Sequence, residues 1–145
     1  MQIRITYTIV LLLIALFVTP ISGATPSPAI WNPDVRNAWV EAQKTRRPML
    51  VLVTMDGCHY CHKLLHGTFR DRRVLADLSA SYVATIMPRE RYQGLVKQLR
   101  INSFPTTLIV RPDGRIDKVI QGYVGPGKMR QHLRASATPP RLTKR

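Results

Sequence analysis

Met49-Leu50-Val51-Leu52-Val53-Thr54 runs through Met55-Asp56-Gly57 into Cys58-His59-Tyr60-Cys61-His62-Lys63-Leu64-Leu65. The segment up to Thr54 is continuously apolar and rich in β-branched side chains, with no polar face. It predicts a strand buried on both sides, in the middle of a sheet covered by helices. Met55-Asp56-Gly57 is a turn, and the cysteine pair opens a helix continuing through Leu64 and Leu65.

On the N-terminal side, Asp34 is a candidate N-cap for a helix whose Val35, Ala38, Trp39 and Ala42 share one face. Lys44 and Arg46-Arg47 fall near its C-terminus, where the dipole favours cations, and Pro48 stops it. On the C-terminal side, Val74, Leu75 and Leu78 predict a helix, and Tyr82 to Met87 a second strand. Pro88 to Arg91 is a loop. Leu95, Val96 and Leu99 mark a helix ending near Asn102. Ser103-Phe104-Pro105 leads into a third strand, Thr106 to Val110. Pro112-Asp113-Gly114 turns the chain into Ile116 to Ile120. Gly122 and Gly125 end that strand before a last helix around Met129 and Leu133. The order βαβ, then hairpin, then helix, predicts an α/β fold: a central mixed β-sheet flanked by helices on both faces. No repeat is present. The domain is expected over 31–136, after a Pro/Ser linker at 25–30 and before a basic tail at 137–145.

The first 24 residues read as an address. Arg4 precedes the apolar run Ile9 to Val18, and Ser22-Gly23-Ala24 places small residues before a cleavage point after Ala24. That is the pattern of a secretory signal peptide. A membrane-spanning helix needs roughly 20 apolar residues, and Pro20 interrupts this run early; retention as an anchor is the alternative. The expected location is therefore exported, periplasmic or secreted, where a disulfide persists.

The chain has 145 residues, 22 Lys plus Arg, 8 Asp plus Glu and two Cys, with a formal charge of +14. One domain with a sizeable core fits that length, whereas a two-domain enzyme does not. Two cysteines exclude a dense disulfide framework and a four-cysteine zinc site.

Cys58-x-x-Cys61 sits where a buried strand meets a helix N-terminus. The free N–H groups and dipole there favour a thiolate at Cys58. The second sulfur lies about one helical turn later, close enough to close a disulfide. An exposed Cys58 is expected to attack a substrate disulfide, and a more buried Cys61 to resolve the mixed disulfide. Three other readings compete. Cys58-His59-Tyr60-Cys61-His62 also satisfies C-x-x-C-H, the c-type haem attachment pattern, with Met87 or Met129 as axial candidates; small cytochromes of that type are mostly helical, unlike this chain. Cys58, Cys61, His62 and His66 offer metal ligands at helical spacing. A purely structural disulfide is poorly motivated, because so short a loop gains little chain entropy. Redox chemistry is favoured, with no metal and no cofactor.

These features together resemble the thioredoxin-like superfamily: the strand Leu50 to Thr54, Cys58-His59-Tyr60-Cys61 at a helix start, Ser103-Phe104-Pro105-Thr106 before a strand, and the Asp113-Gly114 hairpin with Gly122 after it. The resemblance covers Trp31 to Leu133. Ala38-Trp39, Lys44…Pro48 and Cys61-His62-Lys63-Leu64 are similar to exported single-domain members of the DsbD reductant type. Cys-x-Tyr-Cys-His-Lys resembles the DsbC active site, without room for a separate dimerisation domain. The resemblance implies a protein thiol–disulfide oxidoreductase with catalytic Cys58 and Cys61. It also implies a cis Phe104–Pro105 bond that presents the Phe104 backbone to an extended substrate. His59 and Tyr60, between the cysteines, are the candidates for redox tuning; a protonated His59 would stabilise the thiolate. His62 and His66 are read as helix-surface residues.

Two departures stand out. Gly57 occupies the place where thioredoxins commonly carry Trp before the first Cys. Leu52 replaces a buried Asp that assists proton transfer from the second Cys. The direction of electron flow is left open by these features. The non-enzymatic alternative is a redox-inert binding module that holds a strand beside Phe104–Pro105. Export and the lack of a base-reading motif argue against nucleic acid as partner. The expected partners of this monomer are protein thiols or disulfides and a redox partner protein. Lys63, Arg70, Arg72 and Arg73, beyond the cysteines, would steer acidic proteins or an anionic membrane surface.

Overall fold

The computed structural model describes residues 30–137. The expected signal at 1–24, the linker up to residue 29 and the tail from residue 138 lie outside the described residues. Ile30, assigned to the linker from sequence, packs against the core.

The elements are β1 (Trp31–Asn32), α1 (Val35–Thr45), β2 (Met49–Thr54), α2 (His59–His66), a 3-10 turn (Thr68–Arg70), α3 (Arg72–Ser81), β3 (Val83–Pro88), α4 (Gln93–Gln98), β4 (Thr106–Val110), β5 (Ile116–Gln121) and α5 (Pro126–Ala137). Ala137 thus closes a helix rather than opening the tail. The strands form one sheet in the order β1-β3-β2-β4-β5. β2 runs parallel to β3, from Met49 opposite Val83 to Thr54 opposite Pro88. It runs antiparallel to β4, from Met49 opposite Val110 to Val53 opposite Thr106. The expected α/β architecture, a mixed sheet between two helical layers, is the observed one.

The apolar run of β2 explains the layering. Alternate side chains point to opposite faces. Leu50 and Leu52 join Leu64 of α2, Leu78 of α3 and Leu133 of α5 in one core. Met49, Val51 and Val53 join Ala38 and Ala42 of α1 and Val96 of α4 in the other. At roughly 1.5–3 kcal/mol per fully buried large aliphatic side chain, this central strand is a principal source of stability.

Caps set the helix limits. Asp34 accepts from the backbone N–H of Arg36 and Asn37 at 2.9 and 3.1 Å, and Asp71 does the same for Arg73 and Val74 at 2.9 and 3.1 Å. The Arg47 backbone N–H closes the end of its own helix by donating to Ala42 O at 3.1 Å, but the side chain does not serve that end, as its position in sequence suggests. Its guanidinium donates to the carbonyls of Ser79 (2.6 Å) and Tyr82, at the C-terminus of α3. α4 is shorter than expected: Arg100 takes a left-handed conformation (φ 53°), and the Ile101 N–H donates back to Val96 O at 3.1 Å. That terminus buries Ile101 and leaves Asn102 exposed.

Candidate active site

Three loops leave the sheet at one end because of its register. β2 ends at Thr54 into Met55-Asp56-Gly57, β3 ends beside it at Pro88, and β4 begins at Thr106 opposite Val53. The cysteine pair, Arg89 and Phe104–Pro105 are therefore brought to the same edge by strand pairing alone.

Gly57 is left-handed (φ 69°), and a side chain there would meet nothing within 4 Å. The glycine that replaces tryptophan thus serves the turn, since this backbone conformation disfavours other residues. Cys58 N–H donates to Met55 O at 3.3 Å and closes that turn. Cys58 is then the N-cap of α2, and its Sγ accepts from the Cys61 N–H at 3.1 Å. The two sulfurs are joined in a disulfide with Cα atoms 5.2 Å apart. Cys58 is 7% exposed and Cys61 2%. The order of accessibility matches the sequence reading, but Cys58 is buried rather than openly exposed.

His59 and Tyr60 point outward from the first turn of α2, in edge contact with ring centroids 5.5 Å apart. Tyr60 is 56% exposed and lies 6.5 Å from the Tyr123 ring, over which Lys63 Nζ sits at 4.7 Å. Tyr123 and Lys63 thus form a second layer behind Tyr60, which sequence reading missed because Tyr123 is remote in the chain. His62 and His66 stack on the exposed side of α2, centroids 5.8 Å apart. Among the described residues no three His, Cys, Asp or Glu side chains are grouped as metal ligands. The five-stranded sheet likewise departs from the mainly helical chain that the haem-attachment reading called for.

The Phe104–Pro105 bond is cis, as the resemblance implied. Pro105 is buried, and its carbonyl accepts from the Gly122 N–H at 2.7 Å, tying this loop to the end of β5. The Arg89 guanidinium lies 5.8 Å from the Phe104 ring centroid, and its Nη1 is 3.2 Å from Met55 Sδ. Arg89 therefore spans the two loops that flank the cysteines. Beneath them Leu52 is fully buried, paired with Thr107, whose equally buried hydroxyl has no hydrogen-bond partner among the described residues.

Comparisons with known proteins agree with this fold. Residues 35–137 match the family model described as Thioredoxin-like domain. The fold is similar to a thioredoxin from Thermus thermophilus, with a TM-score of 0.67 and 22% identity over 73% of this chain and 85% of that one. It is also similar to the oxidised DsbD C-terminal domain of Neisseria meningitidis, with a TM-score of 0.61 and 19% identity over 72% and 97% of the two chains. A curated relative, Spermatogenesis-associated protein 20 of Rattus norvegicus, is 27% identical over 64 residues; that is 44% of this chain but only 8% of the relative's length. The chain belongs to the thioredoxin-like domain family.

Proposed function

We propose that this protein is a thiol–disulfide oxidoreductase that exchanges electrons with protein disulfides outside the cytosol. The observation that carries the reading is the Cys58–Cys61 pair at the start of α2, with the Cys58 sulfur turned toward the Cys61 backbone N–H. A sulfur in that place is stabilised as the thiolate by N–H groups and the helix dipole, which makes it both a good nucleophile and a good leaving group.

In the reducing direction, the Cys58 thiolate attacks one sulfur of a substrate disulfide. The substrate S–S bond breaks, one substrate thiolate leaves, and a Cys58–substrate bond forms. The Cys61 thiolate then attacks Cys58 Sγ, closes the Cys58–Cys61 bond and releases the second substrate thiolate. Two electrons pass to the substrate, and the two protons shed by the cysteines end on its thiols. The reverse sequence oxidises a dithiol. Phe104, ahead of buried Pro105, supplies the backbone edge for the substrate strand, and His59 and Tyr60 adjust the couple from the exposed side.

Export rests on the Arg4, Ile9 to Val18 and Ser22-Gly23-Ala24 pattern, with a redox partner protein resetting the couple in that compartment. The basic surface favours acidic partners and anionic membrane surfaces, and the domain works as a monomer. The test is insulin disulfide reduction driven by dithiothreitol. The wild-type protein is expected to accelerate precipitation, and Cys58→Ser to bring the rate to the uncatalysed level. Equal rates for the two would leave a redox-inert binding scaffold as the better reading.

A further inference from the structure

Beside Phe104 the surface opens into a cavity of about 380 Å³ between the end of β3, α4 and the loop before β4. Arg89, Lys97, Gln93, Asn102 and Phe104 line it, and no Asp or Glu does. Its two cations are exposed, and neither has a carboxylate within ion-pair distance among the described residues. The nearest acid in sequence, Glu90, does not line the cavity; its Oε1 accepts from the Asp56 N–H at 3.3 Å. Arg89 is itself held in place. Its backbone N–H donates to Thr54 O at 2.8 Å, and its guanidinium rests between Met55 Sδ and the Phe104 ring. Neither of those neighbours neutralises it, so the charge is left available at the mouth of the cavity.

We propose that this cavity is a specificity pocket for an acidic side chain, Asp or Glu, carried by the substrate segment next to its reacting half-cystine. The inference rests on the redox reading and sharpens it to a substrate class. A strand laid along the Phe104 backbone sends alternate side chains to one side. The side that meets Arg89 and Lys97 presents a planar guanidinium suited to a carboxylate, with Asn102 and Gln93 as neutral donors. An apolar or basic side chain there would leave both cations unmatched.

The experiment uses the reduced protein and a set of disulfide-linked peptides. In each set Glu, Gln or Lys is moved through the positions on either side of the half-cystine, and exchange is followed by stopped flow. Dithiothreitol reacting with the same peptides supplies the intrinsic reactivity, and it should slow where Glu sits near the sulfur. For the protein, Glu at one position should raise kcat/KM over Gln by about tenfold, the size expected for one well-placed charge-assisted contact. That ratio should fall toward one in Arg89→Gln with Lys97→Gln, recover in part with Arg89→Lys, and shrink in high salt. Both positions are exposed, so circular dichroism should show an intact fold. Equal rates for Glu and Gln at every position, or a ratio untouched by the double substitution, would overturn the pocket while leaving the oxidoreductase standing. No exchange with any peptide would remove the oxidoreductase and the pocket together.

Discussion

The sulfur of Cys58 occupies the place where an N-cap oxygen normally sits. It accepts the Cys61 N–H at 3.1 Å, and the Cys58 carbonyl accepts from Cys61 and His62 at 3.1 and 3.2 Å. One residue is thus the cap of α2 and, in the proposed reaction, the carrier of the attacking sulfur, whose thiolate would be matched to donors the helix already provides. Below it, the Leu52–Thr107 pair reverses the usual polarity: the strand position that carries an acid in thioredoxins is apolar, and the neighbouring hydroxyl is buried without a partner among the described residues. An unpaired buried hydroxyl costs about 1–3 kcal/mol. Thr107→Val is therefore expected to stabilise the fold by about 1 kcal/mol, raising the thermal midpoint by about 4 °C. A calorimetric midpoint at or below wild type would show that this hydroxyl is satisfied in solution.

Elements differ in how far their sequence betrays them. β2 was legible because a strand buried on both faces has to be apolar throughout, and the cysteine helix because a turn and a cap precede it. β1 was not: Trp31–Asn32 is too short to have a period, and it is held by parallel pairing to β3 and by Trp31 lying edge-on to Phe69 at 5.1 Å. The end of α4 depends on Arg100 in a left-handed conformation, which no glycine announced. The cap at Asp71 sits between Arg70 and Arg72-Arg73, a cluster that reads as surface charge. Asp71→Ala should destabilise α3 and the domain by about 1 kcal/mol, measurable as a shift in the urea midpoint without a change in slope. An unchanged midpoint would mean that tertiary packing alone holds this helix start. In the site, the cysteines and Pro105 were legible from motif spacing. Tyr123 and Arg89 were not, because strand register and helix packing bring them there across long chain separations.

At the scale of the whole molecule, few carboxylates face many cations, and those acids are tied into the structure. Burial alone would raise the Asp77 pKa, but the hydrogen bond from Arg130 at 2.8 Å, with the charges of Arg130 and Arg134, outweighs it and holds the group below the ordinary carboxylate range. The hydrogen bond from the Asn37 backbone N–H, with that from Arg36, likewise holds the Asp34 carboxyl below its ordinary value. A depressed folded pKa contributes stability above the unfolded value of about 3.9 and loses it as pH falls through the folded value. The domain should therefore hold its stability from neutral pH to about pH 4 and weaken below it. Asp77→Asn should remove about 0.5–1 kcal/mol at neutral pH, given the partial exposure of the pair, and flatten that acid limb. Denaturant titrations at pH 3 and pH 7 check both. Export has its own readout: mass spectrometry of protein recovered outside the cytosol should give an N-terminus at Thr25.

The proposed exchange chemistry depends on Cys58 being the attacking sulfur. The most direct measurement is mass spectrometry of Cys61→Ser after brief exposure to a protein disulfide substrate, with Cys58→Ser beside it. A mixed disulfide should accumulate through Cys58 in the first variant, because no resolving thiol remains, and be absent or far slower in the second. No adduct with Cys61→Ser, or equal adducts with both variants, would contradict the assignment of Cys58 as nucleophile.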